Sequence, residues 1–424
     1  MKKISFLLLG GFVLVLSSCL KDSGSTTLTY FKATPVYQDL DQLWEDDLVT
    51  EARSIEDPGK IYIGEDFILI GEENEGIHIV DNNDINNPIT KAFINIPSNK
   101  EFFVEGSTIY AESVTDFVKI NISDLDNVNL IHRNKNVITE SIYNDKGEAL
   151  TKFTFEEVTE TMEIGSETYQ ALNGGQNTYL YYNYLNEIIP SSALPSSFAG
   201  SGGSSGAVNR IAVNNDNIYL IDKNRIIVLE DMGSSTSYVA EEYVGSFGDL
   251  ETIYVEGDLL FLGTTQSVEI MSITNPAQPQ YLNQFSHATS CDPVLPKGDV
   301  AYVTLRTGLF DRPCEGTVNE LVVLDISEPN NIAPTDTEQM KSPYGLSISN
   351  TTLYVGEGAN GLKIFDITDK LNPSLIKNIE NIEAYDIISH PNRSDLILIT
   401  GPDGLQQFEV SDDLGLDLKS TILF

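Results

Sequence analysis

The sequence predicts an all-β fold, a seven-bladed β-propeller of four-stranded antiparallel blades. The first observation is a repeated apolar segment that ends in a carboxylate, seen most clearly at 76–81, 320–325 and 361–366. Weaker copies end at Asn121, Glu230, Ser272 and Glu409, which makes seven copies, mostly about 41 residues apart. Units of about 40 to 45 residues are typical of propeller blades.

The second observation is that each unit holds four short apolar or β-branched segments separated by turn-forming residues. In the sixth unit the pattern predicts strands at 345–349, 352–355, 362–366 and 374–379. Nothing of helical period lies between them. Because Trp44 is the only tryptophan, a Trp-Asp repeat is absent, which excludes a WD40 protein.

The repeats also set the expected domain organisation. We expect a signal peptide at 1–18, a lipidated tether at 19–55 with a short helix around Asp39 to Leu48, and the propeller at 56–424. The last unit, 385–424, should close the ring against the first unit, 60–97. A long insertion at 138–206 separates blades 2 and 3.

The first twenty residues indicate export and lipidation. Two lysines precede the apolar run 6–16, and Leu16-Ser17-Ser18-Cys19 closes the segment. The run is too short for a membrane span, which needs roughly 20 apolar residues. We expect fatty acyl chains, palmitate among them, on Cys19 as the membrane anchor. The alternative is an ordinary secretory signal with a chance cysteine.

Composition limits the partners. The chain has 25 basic and 63 acidic side chains and a net charge of −38, which repels nucleic acid and anionic headgroups. Solubility is the ordinary reading of such a surface, with divalent cations or basic partners as the alternative. We expect no cofactor besides the lipid, and no motif supports Ca²⁺. The carboxylates that end the repeats are expected to cap turns rather than bind metal.

The remaining cysteines, Cys291 and Cys314, form a candidate disulfide in an exported protein. Such a bond would close a loop beside the fifth blade. Two buried free thiols are the alternative. A catalytic thiol is disfavoured, because the only histidine near in sequence is His287.

Two groups of residues are candidates for binding. His287, Asp292, Arg306 and Tyr344 are expected near the channel, either as a ligand site or as a buried network that holds Arg306 against Asp292. The insertion carries Tyr179, Tyr181, Tyr182 and Tyr184, which suit contact with a protein or glycan. The alternative is that these tyrosines pack the insertion onto the ring. The four histidines fit no zinc spacing, and we expect no catalytic residues.

The chain resembles the LVIVD-repeat lipoproteins of Bacteroidota, a family of predicted β-propellers. The resemblance is carried by the following segments: Ile77-His78-Ile79-Val80-Asp81, Asn95-Ile96-Pro97, Ser286-His287, Cys291-Asp292-Pro293, Ala301 to Gly308 and Pro343-Tyr344-Gly345-Leu346. The resemblance implies a propeller fold and an envelope location, on the outer membrane, with the side of that membrane left open. It implies no enzymatic activity.

The sequence therefore favours a non-enzymatic binding or scaffold protein of the cell envelope, with a protein or glycan partner. Two alternatives stay open. One is a metal-dependent hydrolase or lactonase-like enzyme acting in the channel, which rests on analogy between folds alone. The other is an assembly factor for outer-membrane proteins that pairs with exposed strand edges.

Overall fold

A computed structural model of the protein describes residues 24–138, 143–166, 169, 180–182, 209–245, 250–264, 267–286, 294–306 and 318–424. The signal peptide, Cys19, Tyr179, Tyr184, His287, Cys291, Asp292 and Cys314 lie outside the described residues. The chain divides into two compact units, 1–34 with 155–186, and 35–154 with 187–424.

The described strands form eight sheets. One has three strands, in the order β11-β1-β12: β1 (Ser25–Gln38), β11 (Ala149–Glu163) and β12 (Leu180–Tyr182). A 3₁₀-helix spans Gln42–Trp44.

Each of the other sheets contains four strands that are consecutive in the chain, paired antiparallel to their neighbours. The first sheet contains β3 (Pro58–Ile63), β4 (Phe67–Glu72), β5 (Gly76–Asp81) and β6 (Ile89–Asn95), with β2 (Val49–Glu51) as a fifth strand outside β6. The second contains β7 (Phe102–Glu105), β8 (Thr108–Ser113), β9 (Asp116–Asn121) and β10 (Asn129–Asn134). The third contains β13 (Ile211–Asn214), β14 (Asn217–Asp222), β15 (Arg225–Asp231) and β16 (Thr236–Tyr243).

The fourth sheet contains β17 (Leu250–Glu256), β18 (Leu259–Thr264), β19 (Ser267–Ser272) and β20 (Gln280–Ser286). The fifth contains β21 (Val294–Lys297), β22 (Val300–Leu305), β23 (Glu320–Asp325) and β24 (Ala333–Gln339). The sixth contains β25 (Leu346–Ser349), β26 (Thr352–Gly356), β27 (Leu362–Asp366) and β28 (Ser374–Ile379). The seventh contains β29 (Asp386–Ser389), β30 (Leu396–Gly401), β31 (Gly404–Val410) and β32 (Leu416–Ile422).

The prediction of all-β structure in four-stranded units is confirmed, and so are the four strands of the sixth unit. The reason is visible in the burial of each strand. Every residue of β22 is buried, whereas β24, at the outer edge of the same sheet, is almost wholly exposed. Second and third strands are covered on both faces, so they read as continuous apolar runs.

The cores lie between sheets, not within them. One cluster of buried residues joins the first sheet to the second, and corresponding clusters join each later pair of neighbours. A further cluster joins the seventh sheet to the first, where Leu396 and Leu398 lie with Ile61 and Ile68. The expected meeting of the last unit with the first is confirmed.

A buried pair of amides adds to this contact between the first and seventh sheets. The side chain of Asn82 donates to Gln407 Oε1 at 2.9 Å, and the side chain of Gln407 donates back to Asn82 Oδ1 at 2.7 Å. Both residues are buried, with 3% and 0% of their surface exposed. The two bonds satisfy groups that would otherwise be costly to bury.

A β-bulge recurs at one position in all of these four-stranded units. Where the third strand pairs with the fourth, the register shifts once, and the outer strand holds one extra residue. In chain order the extra residues are Lys91, Ile131, Val239, Leu282, Thr335, Ile376 and Lys419. Each bulge bends and twists the outer edge of its sheet.

Two segments of the expected tether, 19–55, form strands. Residues 25–38 form β1, in the same sheet as β11, with a hydroxyl hydrogen bond of 2.8 Å between Thr27 and Thr161. Residues 49–51 form β2, which pairs antiparallel with β6. Both segments find partner strands that lie outside their own sequence neighbourhood, so neither partner is visible from a local pattern. The 3₁₀-helix at Gln42–Trp44 falls within the segment expected to be helical.

The carboxylates that end third strands cap the following turns, as expected. Asp81, Asp325 and Asp366 each accept a backbone N–H two residues on, at 3.1, 2.9 and 2.8 Å. Hydrogen bonds from the side chain and the backbone N–H of that residue, two positions on, lower the pKa of each carboxyl.

Candidate functional site

The inner strands of neighbouring sheets lie against one another and place a distinct set of side chains at one end. We call this end the mouth: it is where the first strand of each sheet begins and the second strand ends. The pairs Phe102↔Ala111 and Asp386↔Thr400 show this arrangement in the second and seventh sheets.

One side of the mouth, built by the first three sheets, holds a charged cluster of Lys60, Lys100, Glu101, Glu112 and Arg210. The Nζ atom of Lys60 lies 2.9 Å from Glu101 Oε1, and the two side chains are only 7% and 4% exposed. Glu101 also accepts the backbone N–H of Phe102 at 3.0 Å. A buried ion pair of this kind is held by several partners at once.

Burial governs the protonation of this cluster. It raises the pKa of Glu101, with Lys60 acting in the opposite direction, and it raises the pKa of Glu112, opposed chiefly by Arg210. Lys100 is exposed to solvent, yet desolvation lowers the pKa of its ammonium. A side chain that touches water but loses hydration lies in a confined space with protein on several sides.

Glu73 adds a group that titrates near neutral pH. It follows β4 at the mouth, and burial raises the pKa of its carboxyl to about 7, with the nearby charge of Asp57 acting in the same direction. Lys100 opposes this shift. Glu73 therefore changes charge near neutral pH.

The other side of the mouth carries an aromatic platform of Arg306, Tyr344 and Tyr385. The Arg306 guanidinium carbon lies 3.8 Å from the centre of the Tyr344 ring, in cation–π geometry. The Tyr344 and Tyr385 rings meet edge to face, with centroids 5.1 Å apart. All three side chains are half-buried.

The platform depends on a glycine. Gly358 has φ +54°, and a Cβ there would lie 2.6 Å from a ring carbon of Tyr344. Thr304 fixes the backbone of Tyr344 by donating to its carbonyl oxygen at 2.9 Å. The ring is thus held between Gly358 and Arg306.

The structure brings together two of the four predicted channel residues, Arg306 and Tyr344. His287 and Asp292 lie outside the described residues, so the network of Arg306 with Asp292 stays a prediction. Of the insertion tyrosines, Tyr181 and Tyr182 lie in β12, whose backbone pairs parallel with β1, and only their backbone is described. Their role in partner contact stays a prediction as well.

Sequence reasoning missed an acid–base pair that recurs with the same spacing in two units. Glu72 lies 2.9 Å from His78 Nε2, and Glu357 lies 3.9 Å from Lys363 Nζ. Glu72 is the last residue of the second strand of its sheet and Glu357 directly follows the second strand of its own, and each base lies in the third strand, six residues later. The signal was present in the sequence as Glu-x₅-base in the first and sixth repeats.

These pairs hold the backbone just before an inner strand. Glu72 accepts the N–H of Asp57 at 2.9 Å, and Glu357 accepts the N–H of Lys341 at 2.5 Å. The carboxylates therefore position the segments that enter the mouth.

Among the residues that the structure describes, no group of three or more His, Cys, Asp or Glu side chains is arranged to hold a metal ion. Within the same ranges, no helix has both the length and the apolar character needed to cross a membrane.

The fold and the repeat agree with known proteins. The LVIVD repeat family matches residues 316–334 and 344–380, which include β23 and all of the sixth sheet. No curated protein matches the sequence. The class defined by the fold is that of β-propeller-like proteins.

Three solved structures are similar to the chain. A crystal structure of the mitotic checkpoint complex has a TM-score of 0.53 at 10% identity and covers 97% of this chain and 99% of that one. A protein from Lactobacillus plantarum has a TM-score of 0.51 at 9% identity, covering 88% and 96%. The periplasmic gluconolactonase of Pseudomonas aeruginosa has a TM-score of 0.50 at 10% identity, covering 86% and 94%. Likeness at such identities concerns the fold alone.

Proposed function

We propose that the chain is a lipoprotein of the bacterial outer membrane, related to the LVIVD-repeat lipoproteins of Bacteroidota. Its β-propeller is a ring of seven blades that binds a protein or glycan without catalysing a reaction. The observation that carries the binding role is the mouth, where a half-buried aromatic platform shares one end of the sheets with a confined charged cluster.

The buried contacts between sheets support the seven-bladed ring. Each four-stranded sheet shares a core with the next, and the seventh shares one with the first. The Asn82–Gln407 pair adds polar contact at the same place. A ring closed in this way is rigid, because each sheet is packed on both faces.

The platform has the composition of a recognition site. Tyrosine supplies flat apolar area together with a hydroxyl, and arginine and tyrosine are both enriched at binding surfaces. Since Tyr344 is fixed by Gly358 and Arg306, a partner would meet a surface that loses little side-chain entropy on binding.

The charged cluster supports binding rather than proton transfer. One oxygen of Glu101, Oε1, is already engaged by Lys60 and by the Phe102 N–H. The carboxylate of Glu72 is likewise engaged by His78 and by backbone N–H groups. Groups committed to structural partners stiffen the mouth and leave little capacity for abstracting a substrate proton.

The anchor is supported by the sequence alone, through the apolar run and Cys19. Lipid attachment would hold the propeller at a membrane surface, where the platform could meet a membrane-associated partner.

Crosslinking in intact cells tests the proposal. The full-length protein, Tyr344→Ala and Tyr281→Ala are expressed at equal levels, crosslinked and purified. Tyr281 is the matched control, because it lies in the outer strand β20 and is 56% exposed. We expect the wild type and Tyr281→Ala to capture the same partner, and Tyr344→Ala to capture at least tenfold less. Capture of nothing by the wild type, or equal capture by all three proteins, would refute the proposal.

A further inference from the structure

A cleft of about 550 Å³ lies beside β2, within the unit formed by 35–154 and 187–424. Its volume falls in the range of small-ligand sites, about 300 to 1,000 Å³. Its lining includes three charged and three apolar side chains, Arg53, Glu75 and Lys152 and Trp44, Leu48 and Leu130. The cleft lies toward the outermost strand of the first sheet, whereas the Lys60–Glu101 pair of the mouth lies by the inner strand β3.

The polar groups of the cleft are fixed in place by one another. Arg53 lies 2.6 Å from one oxygen of Glu75, and Lys152 lies 2.8 Å from the other. The Arg53 guanidinium also lies 3.6 Å from the centre of the Phe93 ring. The three charged side chains remain 36 to 38% exposed, so each keeps surface for a ligand.

Part of the lining is apolar. Trp44 ends the 3₁₀-helix and, with Leu48, packs against the buried cluster of the first two sheets. Arg133 lies 5.3 Å from the Trp44 ring centre and helps to orient it. Leu130 is 38% exposed. A half-buried indole beside fixed donors and an acceptor suits a ligand that has both an apolar face and hydroxyl groups.

We infer that this cleft binds a neutral oligosaccharide. The C–H face of a pyranose ring would lie on Trp44, while Arg53, Glu75 and Lys152 offer donors and an acceptor to its hydroxyls. The inference rests on the proposed binding function and adds to it a second site and a ligand class.

Two observations favour this ligand over others. The net charge of −38 opposes an anionic glycan, and the two cations of the cleft are already shared by Glu75. An extended peptide that adds a strand to a sheet needs an open edge of some length, but the open edge beside the cleft belongs to β2, which has only three residues, Val49–Glu51.

Trp44 gives a direct readout, because it is the only tryptophan in the chain. The full-length protein, purified in detergent with its anchor, is titrated separately with maltohexaose, cellohexaose and mannohexaose while Trp44 emission is recorded. Hexagalacturonate and tryptic casein peptides serve as the anionic and peptide probes. We expect a saturable change in emission with at least one neutral hexasaccharide and none with the other two probes.

Substitutions locate the binding. Arg53→Ala and Lys152→Gln should each weaken binding of the active sugar at least tenfold. Arg393→Ala is the matched control, since Arg393 is 36% exposed and pairs with Glu409 at 2.8 Å. Arg393→Ala should leave binding unchanged. Thermal melts of all variants confirm that each is folded.

Three outcomes would overturn the inference. One is the absence of any emission change with the three neutral sugars up to about 10 mM, which is weaker than ordinary recognition. Another is a change in Trp44 emission with hexagalacturonate or with the peptides but with none of the neutral sugars, which would assign the cleft to a different class of ligand. The third is an equal effect of Arg53→Ala and Arg393→Ala. If Tyr344→Ala loses crosslinking to the partner but the wild type binds no sugar, the mouth remains the proposed binding site and the cleft is not a sugar site.

Discussion

The contact between the first and seventh sheets can be tested by a double-mutant cycle on Asn82 and Gln407. The variants are Asn82→Ala, Gln407→Ala and the double substitution. The two side chains exchange hydrogen bonds of 2.9 and 2.7 Å and are buried, 325 residues apart in the chain. Their interaction is therefore made only when the last sheet lies against the first.

The magnitude follows from the two bonds. Each contributes a net of about 1 kcal/mol, so the coupling energy between the two residues should be about 2 kcal/mol. Each single variant should lower the free energy of unfolding by about 2 to 4 kcal/mol, because it removes both hydrogen bonds and leaves one buried amide without its partner. Gln407 retains a bond to Ser420 at 3.1 Å, which places Asn82→Ala at the lower end.

Urea unfolding at equilibrium measures these free energies. Gln406→Ala is the control, since Gln406 adjoins Gln407 but is half-exposed and should change stability by less than about 0.5 kcal/mol. A coupling energy below about 0.5 kcal/mol would refute the reasoning. It would mean that the two amides do not meet in the folded protein.

Three further predictions concern the anchor, the cysteines and pH. Cys19→Ser should move the protein from the membrane fraction to the soluble fraction; retention after a high-salt wash would show another anchor. Cys291→Ala with Cys314→Ala should lower the free energy of unfolding by roughly 2 to 4 kcal/mol and expose the chain near Arg312 to trypsin. Alkylation of both thiols in the native oxidised protein would contradict a disulfide. Because Glu73 has a folded pKa of about 7, raised from 4.5, the folded state binds its proton more tightly. Its contribution to stability should fall as pH rises from about 4.5 to about 7, and Glu73→Gln should remove that fall in urea titrations. A pH profile unchanged by Glu73→Gln would contradict this.

The repeats predicted much of the fold because propeller strands have strong local signatures. Strands β5, β23 and β27 end at Asp81, Asp325 and Asp366, where a carboxylate both stops the apolar run and caps a turn. Such a signal is contained within a few residues. Period and turn chemistry were therefore sufficient to place the four strands of the sixth unit.

The pairing of β1 with β11 could not be predicted in the same way. The two strands are more than a hundred residues apart and belong to no repeat, so nothing local identifies one as the partner of the other.

The mouth was predictable only in part. Arg306 and Tyr344 could be placed near it from their positions before and after strands, but Lys100 owes its setting to neighbours from other sheets.

The bulges in the outer strands have a consequence for how this protein meets others. A row of flat, regular edge strands would offer backbone N–H and C=O groups to any extended chain and invite stacking of copies side by side. One extra residue in each fourth strand bends the outer part of its sheet at the same position in all seven units. Molecules crowded together could lie side by side without merging their sheets, which leaves the ends of the sheets as the surfaces for specific contact.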